Sequence, residues 1–240
     1  MKTKIVMAWL LWVSVAAPGR ASVQLIQFGE NNIAAIVPDN NLSGLARSFT
    51  VTGQDNFIPH QVTVRLKIQG TGQGAFNGDY YADLRHLSAD GSVTTRVTLL
   101  NRPGRSSTMT SGYSDNGLDV LFEDSASDDI HSYRLSTTGG DNNALGGPLT
   151  GSWQPDGRDV NLLTALNTSP RTSSLMHLAS GSPNGTWTLF VVDASAGGTG
   201  QVTDWEVKIS GVPEPSSASL LILGLAAVLA RRRRCRRSAV

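Results

Sequence analysis

The chain has 240 residues, one cysteine and a formal net charge of +1, with 40% hydrophobic and 16% charged residues. That length suits one ordinary domain with appendages, and the lone Cys235 rules out an intramolecular disulfide and any cysteine-based zinc site. The +1 hides a split: residues 23–210 hold 11 Lys/Arg against 18 Asp/Glu, a balance of −7, which excludes a basic nucleic-acid-binding surface there.

The N-terminus carries Lys2 and Lys4, an apolar run from Ile5 to Ala17, and then Gly19-Arg20-Ala21. This is the charged, apolar, small-residue order of a secretory signal peptide, here residues 1–21. From residue 22 the hydrophobic period is two. Phe49 and Val51 mark a short strand. Val62, Val64, Leu66 and Ile68 alternate with polar residues. Tyr81 and Leu84 do so less cleanly. Trp187, Leu189 and Val191 alternate again, and Val202 is followed out of phase by Trp205, Val207 and Ile209. Such strands have one buried and one wet face. Turn residues cluster between them, at Gly70–Gly78, Asp90-Gly91, Gly139–Gly147, Asn184-Gly185 and Gly197-Gly198. Only Val160–Leu166 has helical character. The expected fold class is all-β: a single β-sandwich or jelly-roll-like domain over residues 22–211.

A family resemblance runs through this domain. In order come Val37-Pro38-Asp39-Asn40-Asn41, Phe49-Thr50-Val51-Thr52-Gly53, Asn77-Gly78-Asp79 and Leu99-Leu100-Asn101-Arg102-Pro103-Gly104. Then follow Leu121-Phe122-Glu123-Asp124-Ser125-Ala126, Gly151-Ser152-Trp153-Gln154-Pro155-Asp156-Gly157, and Asn184-Gly185-Thr186-Trp187-Thr188-Leu189 through Val192-Asp193 to Trp205. The series resembles the P domain, or Homo B, found beside the catalytic domain of kexin- and furin-like proteases. The resemblance implies a non-catalytic sandwich linked to serine endopeptidases by association. The polar stretch Ser136–Gly147 is long for the family.

No catalytic residues are expected. There is no Gly-x-Ser-x-Gly elbow and no His-Glu-x-x-His helix, and His60, His86, His131 and His177 have no ligand spacing. They read as ordinary hydrogen-bonding histidines. The carboxylates are denser: Asp115, Asp119, Glu123, Asp124, Asp128 and Asp129 crowd one stretch. A calcium ion takes 6–8 oxygens, and Asp79, Asp115, Asp124 and Asp128 are its candidate ligands, against the simpler reading of a solvated acidic loop. Trp187 and Trp205 read as core residues, whereas Trp153 is open to either core or sugar stacking.

The C-terminus, residues 212–240, reads Pro213-Glu214-Pro215, an apolar run from Ala218 to Ala230, and the cluster Arg231, Arg232, Arg233, Arg234, Arg236 and Arg237. It resembles the PEP-CTERM sorting signal of Gram-negative envelope proteins: a Pro-Glu-Pro site, a short transmembrane helix and an arginine cluster. The resemblance implies export, transient membrane retention, recognition by an exosortase-type enzyme and release to the cell envelope, outer surface or extracellular matrix. Because proline neither continues a helix nor donates to a ladder, residues 212–217 are expected to be extended and exposed. The main reading is a non-catalytic envelope or matrix protein that meets exopolysaccharide or envelope partners. Two others stay open: a calcium-assisted carbohydrate- or peptide-binding module, and a protein associated with serine endopeptidase activity through its P domain.

Overall fold

The computed structural model describes residues 23–72 and 74–213. The signal peptide, Glu214, Pro215 and Arg231 to Arg234 lie outside the described residues. The strands are β1 (Gln24–Glu30), β2 (Ala35–Val37), β3 (Leu45–Val51), β4 (Phe57–Thr71), β5 (Tyr80–Ser88), β6 (Thr94–Asn101), β7 (Leu118–Phe122), β8 (Leu149–Trp153), β9 (Gly185–Asp193) and β10 (Thr199–Pro213). They form two sheets packed as a sandwich, as the period-two pattern requires. One sheet runs β1-β10-β4-β7-β8, with β2 also pairing with β10; the other runs β3-β9-β5-β6. Every pairing is antiparallel except β7 with β8.

The two 15-residue strands β4 and β10 pair along nearly their whole length. Each carries one register shift, and each shift explains a break in the sequence pattern. On β10 the register slips between Val202 and Asp204, so Thr203 is an extra residue and the buried set changes from Gly200 and Val202 to Trp205, Val207 and Ile209. On β4 the extra residue lies at His60, between the buried pair Phe57 and Pro59 and the buried series Val62–Ile68. A bulge flips side-chain parity, so the pattern looks broken although the strand is continuous.

Strand β5 loses its alternation for another reason. Its core face holds Tyr80, Ala82 and Leu84, while Tyr81 and Asp83 on the opposite face are buried too. There Tyr81 donates to Asp83 at 2.8 Å, and Arg85 pairs with Asp83 while lying 4.4 Å over the Phe190 ring.

The core is aromatic where the two sheets meet. Phe28 of β1 stacks on Phe49 of β3 at 5.1 Å and lies 5.6 Å from Trp187 of β9. His86 stacks on Trp187 at 4.3 Å. Trp153 is buried as well, its indole N–H donating to the Thr150 carbonyl. Trp153, Trp187 and Trp205 are thus all buried, and none offers an indole face for sugar stacking.

Helical structure is slight. Val160–Leu166, expected to have helical character, forms a turn; the segment lacks the length of a stable helix. The one α-helical turn among the described residues is α1 (Tyr133–Thr137), which the sequence did not signal. Among the described residues no helix is long and apolar enough to cross a membrane. Strand β10 continues past the expected domain boundary at residue 211: Val212 and Pro213 are extended but half-buried, paired with Ile58 and Phe57.

Candidate functional site

Strand direction assigns each charged group to one end of the sandwich. The start of β10, the end of β4, the start of β5 and the end of β9 share one end, called here the distal pole. Three carboxylates from distant parts of the chain lie there. Asp39 follows β2, Asp79 precedes β5 and Asp193 ends β9. Asp79 and Asp193 are buried, and Asp39 sits at the exposed rim. The Ser195 backbone N–H donates to Asp193 at 3.2 Å, and that of Ala194 donates to the Asp79 carbonyl at 2.9 Å.

One cation faces this group. Arg102 reaches from the end of β6, its Nη2 3.6 Å from Asp79 and 2.8 Å from the Ser195 hydroxyl, with Nε donating to the Gly78 carbonyl. Arg102 is buried and holds a left-handed backbone, φ 55°. A long side chain in that region costs about 1–3 kcal/mol, so the surrounding hydrogen bonds hold it there. One guanidinium cannot neutralise three carboxylates. Burial, reinforced by the Asp79 and Asp39 charges, pushes the Asp193 carboxyl up to about 6. Burial also raises Asp79, against the opposing pull of Ser195 and Arg102.

A second charged group adjoins this pole. Asp115 is buried and accepts from Arg134 Nε at 2.7 Å, from the Tyr133 hydroxyl at 2.6 Å and from the Leu145 backbone N–H at 2.7 Å. Arg134 also donates to the Asp141 carbonyl and lies 4.5 Å over the Tyr113 ring. Burial alone would raise the Asp115 carboxyl, but these bonds outweigh it and hold it below the ordinary range. Beside it opens a cleft of about 280 Å³ whose rim includes Ser114, Asn116, Leu145 and Pro148.

The four acidic residues expected to hold calcium are not brought together. The stretch from Asp115 to Asp128 is not one loop, because β7 runs through it. Asp115 lies before that strand, and Asp124 and Asp128 lie beyond its other end. Three of the four are also engaged with other partners. Asp79 faces Arg102, Asp115 holds Arg134, and Asp124 accepts the Leu175 and Met176 backbone N–H groups at the start of a 3-10 turn. Asp128 is exposed. Among the described residues no group of three or more His, Cys, Asp or Glu is placed to hold a metal ion.

His131 and Asp156 form another buried pair, Nδ1 to Oδ2 at 2.8 Å, with Nε2 3.0 Å from the Arg105 carbonyl. Both ring nitrogens face acceptor oxygens, an arrangement that favours the doubly protonated imidazolium. Burial alone would lower the His131 pKa; Asp156 and the Arg105 carbonyl overcome it and leave it raised. Arg158 closes the network on Asp129 at 2.7 Å and Asp156 at 3.2 Å.

His131 and Asp193, like Asp79, bind protons more tightly when folded. The stabilisation from His131 is complete below its unfolded value and is lost as pH rises through its higher folded value. Ionised Asp193 penalises the fold above about pH 6, and the penalty is relieved as pH falls toward the unfolded value near 3.9. His131 and Asp193 therefore favour the fold near pH 5.5 over pH 8, whereas His86, whose pKa burial lowers, acts in the opposite sense. Asp193→Asn should add up to about 3 kcal/mol of stability at about pH 8, and about half of that near pH 5. Thermal melts across that range check this; an Asn variant that gains equally at both pH values overturns it.

Sequence reasoning did not single out Asp39, Asp193 or Arg102 as a group. The available signals were local: an Asp closing a strand pattern, an Asp after Pro38, and an Arg in an Asn-Arg-Pro-Gly turn.

At the opposite end β10 stops at Pro213, and there the comparison with known families is informative. The model of the PEP-CTERM protein-sorting motif matches residues 211–234. The chain carries a PEP-CTERM sorting motif. The motif indicates a protein exported, recognised by an exosortase-type enzyme and processed toward the cell envelope or surface. No curated protein matches the chain. Among solved structures, the Aeromonas sobria serine protease in complex with its chaperone is similar at 14% identity and TM-score 0.38, over 80% of this chain and 27% of that one. The same protease alone is similar at 14% identity and TM-score 0.37, over 82% and 28%. The chain thus spans little more than a quarter of those structures.

Proposed function

We propose that this protein is a non-catalytic component of the envelope or extracellular matrix, a P-domain-like sandwich that an exosortase-type enzyme trims and releases. The observation that supports this most is positional. The PEP-CTERM motif begins at residue 211, among the last paired residues of β10, so the sorting segment follows directly on the last described strand of the sandwich. The apolar run Ala218–Ala230 has 13 residues, shorter than the roughly 20 a permanent span requires. Flanking arginines orient it with the tail in the cytoplasm and the domain outside.

The mature protein is expected to lack everything after about Pro215. Replacing Arg231, Arg232, Arg233, Arg234, Arg236 and Arg237 with Gln should block this trimming. Mass spectrometry of protein recovered from the cell surface reads the outcome. A surface-released form still containing the Arg231 peptide would show that the tail is an ordinary anchor.

A further inference from the structure

The two targeting segments leave the sandwich side by side. Gln24 pairs with Gly211, and Pro213 pairs with Phe57, so residues 23 and 213 emerge from adjacent strands. Adjacent strands lie about 4.8 Å apart. This end, the proximal pole, lies a strand length of about 45–50 Å from the start of β10. The other sheet ends at the same pole, because Val51, Gly185 and Ser88 are in register and residues 52–56 join β3 directly to β4.

Five exposed apolar side chains lie at this pole, among exposed polar ones that include Thr52, Asp55, Asn56, Gln61, Asp90 and Ser92. Val23, Leu25, Val93, Leu87 and Ile58 are exposed by 75, 58, 56, 40 and 37%. No Lys or Arg lies among them. The nearby carboxylates are tied down: Asp55 accepts from the Asn184 side chain, and Asp90 accepts from Ser88 and Ser92. The three carboxylates Asp39, Asp79 and Asp193, faced by the single guanidinium of Arg102, lie at the distal pole.

The length of chain beyond the structure limits what can cover this surface. Four residues, Glu214 to Ser217, separate Pro213 from the apolar run at Ala218. Fully extended they reach at most about 14 Å, while one headgroup layer is roughly 5–8 Å thick. A domain held by this tail has its proximal pole at the lipid surface.

We propose that the proximal pole is a membrane-contact face, against which the exported domain rests while its tail is retained, with the acidic distal pole directed outward. This rests on the sorting reading of the tail. Contact is driven by the tether and by apolar side chains, so zwitterionic lipid suffices and added salt does not release it.

The test uses the full chain with Cys235→Ser, carrying a single cysteine-attached fluorophore at Val93→Cys or Leu42→Cys, both exposed positions. Leu42 lies at the distal pole, beside Asn41, whose N–H donates to the Asp193 carbonyl. Each protein is bound to phosphatidylcholine vesicles containing a headgroup-attached nitroxide quencher, and vesicle flotation is scored separately. The expected result is loss of fluorescence at position 93 and none at 42, with and without salt. Flotation with equal quenching at the two positions, or with none, overturns the contact face and leaves the sorting reading standing. Cross-linking through position 93 without quenching assigns the pole to a second copy and also overturns it. Failure to float overturns the membrane role of the tail itself, and the contact face with it.

Discussion

Arg134→Met is expected to destabilise the domain by about 3–5 kcal/mol, because it leaves the Asp115 carboxylate buried without its counter-ion. Both side chains are almost wholly buried. The ion pair itself contributes little net stability, since each ion gave up its hydration to form it. The cost of removing one partner alone is the cost of an orphaned charge. Asp115 would keep Tyr133 and the Leu145 N–H, which moderates the loss without abolishing it. The same substitution removes the bond from Arg134 to the Asp141 carbonyl, so residues 141–148 at the cleft rim should exchange amide hydrogens faster. Chemical denaturation of Arg134→Met, Asp115→Asn and the double variant forms a cycle. The double variant should recover a large part of the loss. If its loss equals the sum of the two single losses, the pair is not coupled and the account fails.

Trp205→Ala should cost a similar amount, about 3–5 kcal/mol, for a different reason: it opens a cavity at the centre of the larger sheet. Trp205 is fully buried on β10, between Leu66 of β4 and Glu30 of β1. Phe28 packs edge-on at 6.4 Å and passes the contact to Trp187 on the facing sheet. The indole N–H donates to Glu30 at 2.9 Å, and Glu30 is also held by Arg47 from β3. Trp205→Phe retains most of the apolar area and leaves Glu30 its Arg47 partner, so it should cost well under half as much as the alanine variant. Urea unfolding compares the two. Equal losses would mean that the indole hydrogen bond, not packing, carries the effect.

Where sequence pattern and structure part company, the cause is physical. Period-two alternation located β4, β9 and β10 because each buries one face against the other sheet. It blurred at β5, where both faces are covered, and broke at Thr203 and His60, where bulges invert the parity. Trp187 and Trp205 were legible as core from alternation alone, whereas Trp153 was ambiguous because only five residues of strand surround it. The calcium expectation grouped Asp115 with Asp124 and Asp128 by proximity in sequence. Strand β7 separates them, because the apolar residues Leu118, Val120 and Phe122 between the acidic ones are enough to make a buried strand.

The sequence by itself determined the all-β class and the sorting tail, because both are written in short-range pattern: alternation over a few residues, and a proline-apolar-arginine order over fewer than thirty. Tertiary structure alone decided which charges meet. Asp39, Asp79, Asp193 and Arg102 converge only because β4, β5, β9 and β10 end at one pole, an outcome of strand order that no local spacing encodes. It also decided that residues 23 and 213 leave together. That follows from β1 closing against β10, a pairing between the two ends of the domain that chain-length separation hides until the sheet is assembled.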